Sequence, residues 1–121
     1  MKSLLLEHLQ RRVVTHESVQ DLFARVDAGE YPIDCSELEQ PLTALLVAAT
    51  ATRSGLRAAK TPGARQPRCL VVTPSDAEAE AFASDCLACG VESVVVPWWK
   101  IAAYRPVEPR SAVFGQRSAA L

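Results

Sequence analysis

The sequence predicts an α/β fold, a small parallel sheet flanked by helices. Two continuous apolar runs, residues 69–73 and 91–96, are typical of strands that are covered on both faces of a parallel sheet. Between them lies a helix pattern over residues 76–89, opened by a capping box of Ser75 and Glu78 and closed by a glycine. Strand, helix and strand in this order predict a βαβ unit with a right-handed crossover.

Residues 1–29 predict an N-terminal helical segment that precedes the α/β domain. Residues 3–12 form a short helix pattern, and a second helix follows with Thr15 as its N-cap and Gly29 at its end. Apolar side chains of the second helix recur at the spacing of one buried face: Val19, Leu22, Phe23 and Val26.

Residues 30–121 predict the first part of the α/β domain, with a chain that continues beyond Leu121. A weak strand candidate over residues 31–35 is followed by a run over residues 41–52 that is almost wholly apolar or small. Because this run is apolar all round, it predicts a helix buried in the core. The pattern after Ser111 predicts the start of a last helix.

The loop before the buried helix stands where a nucleotide-binding α/β domain keeps its phosphate loop. It has no glycine between Ile33 and Ala44, and Thr43 stands where the phosphate-binding lysine would be. The carboxylates of Glu37 and Glu39 would repel a polyphosphate. Backbone amides cannot converge on phosphate there, so the sequence predicts a degenerate phosphate loop and no catalytic activity for this chain.

Residues 53–68 carry five basic side chains among prolines and a glycine, and predict a flexible loop. Such a loop either contacts the phosphate backbone of DNA or is simply solvated. Thirteen basic against fourteen acidic side chains give a net charge of −1, so the whole chain has no positive field to attract nucleic acid.

The four cysteines and two histidines predict neither a metal site nor redox chemistry. Cys86 and Cys89 form a C-x-x-C motif at the C-terminal end of a predicted helix, where the helix dipole disfavours a thiolate. A second ligand pair with zinc spacing is missing, since His8 and His16 are distant in sequence from the cysteines. The apolar N-terminal run is too short for a secretory signal, which favours a cytoplasmic protein without membrane contact.

Residues 97–109 form a proline-braced loop with three large rings, and this loop holds the candidate interaction residues. They are Pro97, Trp98, Trp99, Tyr104 and Pro109, with Arg117 following in the last helix. Adjacent Trp side chains at a strand end point to opposite sides, so one closes the core and the other covers the sheet edge or the last helix. Alternatively, an exposed ring stacks on a base or anchors a partner protein. Arg117 is interpreted as an ion-pair or partner contact.

The spacing of these residues resembles the N-terminal region of bacterial transcription-repair coupling factors (Mfd) and, more loosely, the excision-repair protein UvrB. In that pattern a strand ends in Pro-x-Trp, a Tyr and a Pro follow at intervals of five residues, and an Arg lies eight residues beyond. Five positions of this chain stand in that register without a gap: Pro97, Trp99, Tyr104, Pro109 and Arg117. The resemblance covers about residues 30–121.

The resemblance implies a UvrB-like domain, a partial RecA-like layer that has lost its nucleotide site. The parent family consists of ATP-dependent DNA translocases that displace RNA polymerase stalled at a lesion and recruit UvrA. It implies that ATP and Mg²⁺ bind elsewhere in the parent, with no cofactor in this segment. The implied partners are the rest of its own chain, including an inserted UvrA-binding domain, and through the parent UvrA, RNA polymerase and DNA. Two alternatives stay open: a nucleotide-binding ATPase fragment such as UvrB itself, and a free-standing adaptor.

Overall fold

A computed structural model describes residues 4–60, 62–63, 69–98 and 112–120 of the chain. Five helices account for the regular structure of these residues: α1 (Leu4–Val14), α2 (Glu17–Asp27), α3 (Gln40–Ala59), α4 (Asp76–Ala88) and α5 (Ala112–Ala120). The fold of the described residues is therefore all-helical.

The predicted α/β class is wrong, because the described residues contain no strand and no sheet. The runs 69–73 and 91–96 flank α4 as expected, but neither has regular structure, and residues 31–35 have none either. Leu70 is 87% exposed, Val72 85% and Val94 70%. Apolar composition indicates a preference for burial, whereas a strand also needs a backbone partner. An isolated pair of strands is marginally stable at best, and a parallel pair needs both faces covered.

The junction between α1 and α2 shows a different cap from the predicted one. Thr15 does not cap α2; its hydroxyl donates back to the carbonyl oxygens of Arg11 (3.1 Å) and Arg12 (3.0 Å) at the end of α1. The N-cap of α2 is His16, whose Nδ1 accepts a hydrogen bond from the backbone N–H of Ser18 at 3.3 Å. A histidine interpreted as a plain surface residue thus satisfies a backbone donor that the helix leaves unpaired.

Two helices end in a glycine with left-handed backbone. After α2, Gly29 has φ +72, and its N–H donates to the carbonyl of Val26 while the N–H of Glu30 donates to that of Arg25. After α4, Gly90 has φ +87; its N–H donates to the carbonyl of Leu87, and the N–H of Val91 donates to that of Cys86. This pairing is the Schellman arrangement, which favours glycine because other residues clash in this conformation. Both predicted helix ends are confirmed.

Helix α3 runs about two turns further than the sequence predicts, through the first seven residues of the expected basic loop. Arg53 explains part of this extension. Its guanidinium forms an ion pair with Asp27 and lies 4.9 Å above the centroid of the Phe23 ring, which is buried. Both contacts come from α2, and both require Arg53 to sit on a helix face turned toward α2.

The core lies where α3 packs against α4. Ala44 is fully buried there, in a cluster with Phe82 and Cys86 of α4. The Cys86 thiol lies 3.9 Å from the carbonyl oxygen of Ala44, to which it donates. Leu45, Leu46 and Ala48 of α3 are buried as well. The burial predicted for residues 41–52 is confirmed for the middle of the run, whereas Pro41, Leu42 and Thr52 are exposed. The N-cap of α4 is as predicted: Ser75 accepts from the N–H of Glu78 at 3.2 Å.

Helix α1 lies beside α2 and α3. It also reaches the far end of α4, because the side-chain amide of Gln10 donates to the carbonyl oxygen of Cys89 at 3.3 Å. Within the described part of the chain, none of the helices combines the length and the hydropathy that a membrane span needs.

Candidate interaction site

Pro97 and Trp98 are held between the N-terminus of α4 and the last helix, α5. The backbone N–H of Trp98 donates to Oδ1 of Asp76 at 2.8 Å. The guanidinium Nη1 of Arg117 donates to the carbonyl oxygen of Pro97 at 2.6 Å. We call these four residues the Trp98 clasp. Both bonds involve a charged side chain, so they are of the stronger, charge-assisted kind, and together they hold the two sides of the single peptide group that joins Pro97 to Trp98.

The Trp98 clasp leaves the Trp98 side chain largely in solvent, since the residue is 60% exposed. Asp76 is half-buried at the start of α4, and Arg117 is half-buried on α5. The structure therefore fixes the backbone that carries the ring, while the ring itself stays accessible. This is the exposed arrangement that the sequence left open for Trp98.

Three of the six candidate residues, Pro97, Trp98 and Arg117, are brought together by this clasp. Trp99, Tyr104 and Pro109 lie outside the described residues. Arg117 is bonded to a backbone carbonyl, a partner that the sequence did not predict. The sequence interpretation also missed Asp76, which lies 22 positions before Trp98 in the chain.

A shallow groove of about 370 Å³ lies beside the clasp, between α4 and α5. We call it the α5 groove. Its lining residues are Glu80 of α4, Val94, Val95 and Pro97 of the segment that follows α4, and Gln116, Ala119 and Ala120 of α5. The walls are thus mainly aliphatic, with one carboxylate and one amide as polar groups.

The groove belongs to the acidic part of the chain. Residues 69–98 carry five carboxylates and no Lys, Arg or His, a net charge of −5 over thirty residues. The complete chain has a net charge of −1, so the other residues together carry +4 (13 basic against 14 − 5 = 9 acidic). This separation of charge was readable in the sequence, and it indicates a negative surface around α4.

Of the C-x-x-C pair, Cys86 is buried against α3 and is not a reactive thiolate. Burial raises the pKa of the Cys86 thiol, and the neighbouring Cys89 and Asp85 act in the same direction. A raised pKa keeps the thiol protonated and poorly nucleophilic at neutral pH. In the part of the chain that the structure describes, no group of three His, Cys, Asp or Glu side chains is placed to hold a metal ion.

The segment that the sequence predicts as a degenerate phosphate loop, residues 34–39, is irregular and precedes α3, but no strand precedes it among the described residues, so the prediction of a phosphate loop fails together with the α/β fold. Glu37 adopts a left-handed backbone with φ 59, and both Glu37 and Glu39 are exposed. These carboxylates stand before the positive end of α3, where a bound phosphate would otherwise be attracted.

Comparison with known proteins gave no match to the chain, neither among protein-family models nor among curated proteins or solved structures.

Proposed function

We propose that the chain is a non-catalytic scaffolding and protein-interaction module of a transcription-repair coupling factor. One observation carries the proposal. Pro97 and Arg117, two positions of the motif that resembles this family, are twenty residues apart in the chain and are joined by a hydrogen bond of 2.6 Å. This contact supports a common structural role for the two residues, which hold together the ends of the segment that separates them in the chain.

The proposal depends on this motif and not on a UvrB-like sheet, which the described residues lack. Its interaction role is supported by the Trp98 clasp. A large ring that stays 60% exposed on a backbone fixed by two charge-assisted bonds can bind a partner at little further cost in conformational entropy. Tryptophan is also the residue type most enriched among the binding hot spots of protein interfaces.

The partners under this proposal are those of the family. The module would hold the rest of its own chain, including an inserted UvrA-binding domain, and would help to restrain the parent in a closed state. UvrA, RNA polymerase and DNA would be engaged through the parent, whose translocase would bind ATP and Mg²⁺ elsewhere. The exposed carboxylates of Glu37 and Glu39 lie just before α3, where they would repel a phosphate group, and this supports a module that hydrolyses nothing itself.

Repair of the transcribed strand in the source cells tests the proposal. Deletion of the gene should slow removal of ultraviolet lesions from the transcribed strand to the rate of the non-transcribed strand. A Trp98→Ala allele should give a partial loss, and Trp98→Phe, which keeps a ring, should retain most of the repair. Unchanged strand-specific repair after the deletion would refute the proposal.

Size and nucleotide binding separate the two alternatives. An antibody against these residues should detect a band many times heavier than 13.1 kDa in a lysate of the source cells. A band at 13.1 kDa would favour a free-standing adaptor instead. ATP with Mg²⁺ should leave the thermal unfolding of the chain unchanged, whereas an ATPase fragment would be stabilised by about 2.7 kcal/mol at 100 times its dissociation constant.

A further inference from the structure

We infer that the α5 groove binds an arginine side chain of a partner protein, presented next to an aliphatic residue. The inference rests on the proposed interaction role and names the chemistry of the partner segment. It is carried by three features of the described residues: the carboxylate of the groove, its aliphatic walls and the exposed Trp98, which follows the lining residue Pro97 in the chain.

The negative charge of the groove favours a partner side chain that is positively charged. Glu80 lines the groove, Asp76 lies one helical turn earlier on α4, and the sequence from residue 69 to residue 98 contains no basic side chain. Arg117, the nearby cation of α5, already donates to the carbonyl oxygen of Pro97. A phosphate-bearing partner such as nucleic acid would be repelled by this surface, whereas a basic side chain would be attracted to it.

The shape and lining favour arginine over lysine. Aliphatic walls from Val94, Pro97 and Ala119 suit the methylene stem of a long basic side chain. A planar guanidinium can pair with a carboxylate through two parallel hydrogen bonds, and it also stacks on aromatic rings. Glu80 supplies the carboxylate, and Trp98, which is exposed, is the residue next to Pro97 in the chain. A lysine ammonium would use only a part of these features.

An aliphatic neighbour of the arginine fits the exposed apolar surface that continues the groove. Val94 is 70% exposed and Val96 42%. A partner segment that covers them removes apolar area from water, which contributes free energy in addition to the ion pair. An isolated arginine, whose stem would contact Val94, would leave Val96 in solvent.

Titration of the ¹⁵N-labelled 121-residue chain with acetyl-leucyl-arginine amide, followed by NMR, tests the inference. Saturable shifts should appear at the Trp98 indole and at the amides of residues 94–98 and 116–120. The neutral isostere acetyl-leucyl-citrulline amide should bind more weakly, because citrulline keeps the shape of arginine and lacks its charge. Glu80→Gln should weaken the binding about fivefold, the loss of one partly exposed ion pair.

Glu78→Gln is the matched control, since Glu78 is an exposed carboxylate of the same helix that does not line the groove. It should leave the affinity unchanged. The inference is overturned by the absence of saturable shifts, by equal binding of the citrulline compound, or by equal effects of the two variants. Shifts of the same residues with increasing protein concentration, without dipeptide, would assign the groove to a second copy and would also overturn it.

These outcomes are independent of the repair assay. A strand-specific repair defect without dipeptide binding would remove the inference about the groove and leave the proposed function intact. Dipeptide binding without a repair defect would refute the proposed function and leave the inference about the groove intact.

Discussion

Replacement of Arg117 by Gln is expected to detach α5 without unfolding the rest of the protein. Helix α5 has nine residues, and helices shorter than about 12 residues are marginal in water unless tertiary contacts hold them. The bond from the Arg117 guanidinium to the carbonyl of Pro97 is such a contact. A hydrogen bond from a charged group contributes about 1.5–3 kcal/mol. At 1.4 kcal/mol per factor of ten, the opening of α5 should become about ten to one hundred times more frequent.

Hydrogen exchange measured by mass spectrometry can resolve this effect. The amides of residues 112–120 should lose protection in Arg117→Gln, while those of α3 and α4 keep theirs, because the Ala44–Phe82 core is not touched. Ser118→Ala is the control, an exposed position of the same helix. Unchanged exchange in α5 would refute the assigned role of the Arg117 bond, and an equal loss in all helices would show that the effect is global.

Three further predictions concern stability. Gly29→Ala should destabilise the fold by about 1–2 kcal/mol in urea unfolding, because φ is +72 there and alanine disfavours that conformation. Gly55→Ala lies inside α3 and should stabilise the fold by about 0.5–1 kcal/mol. An added Cβ meets no atom within 4 Å at either position, so effects of the same sign would contradict the backbone argument. Arg53→Gln should lower the free energy of unfolding by about 1–2 kcal/mol through loss of the Asp27 ion pair and the Phe23 ring contact, and Arg53→Lys should lose less. Because burial raises the pKa of Cys86, the folded state holds that proton more tightly than the unfolded chain does; this stabilisation is complete below the unfolded pKa of about 8.5 and is lost as the pH rises through the folded pKa. Stability should therefore fall more steeply above pH 8.5 in the native chain than in Cys86→Ala, and identical slopes would exclude Cys86 as the cause.

The helices could be predicted from the sequence because their signals are local. The Ser75 cap and the left-handed glycines at positions 29 and 90 act within a few residues of the helix ends they determine. The extension of α3 could not be predicted in this way. It involves Arg53 and two residues of α2, at least 26 positions earlier in the chain, and the sequence between them gives no sign of that contact.

The prediction of strands was wrong for a related reason. Residues 69–73 and 91–96 have the composition of buried strands, but whether such a run pairs depends on neighbours that its own sequence does not specify. Pro97 and Arg117 were found because they stand in the register of the family motif, and Trp98 was found because it is a large ring next to that motif's Trp. Asp76 and Glu80 were not found, because nothing in the sequence of a helix face indicates which distant loop it will meet. The acidic composition of residues 69–98 would have pointed to this surface.

The four thiols differ in burial, and this difference makes thiol modification a measure of how often α3 and α4 separate. Cys35 and Cys69 are exposed, Cys89 is half-covered and Cys86 is enclosed between α3 and α4. A thiol reagent should therefore modify the first two quickly and reach Cys86 only when these helices separate. The mass gained with time gives the rate of that separation without any engineered probe, and it can be followed in the native chain with each partner in turn.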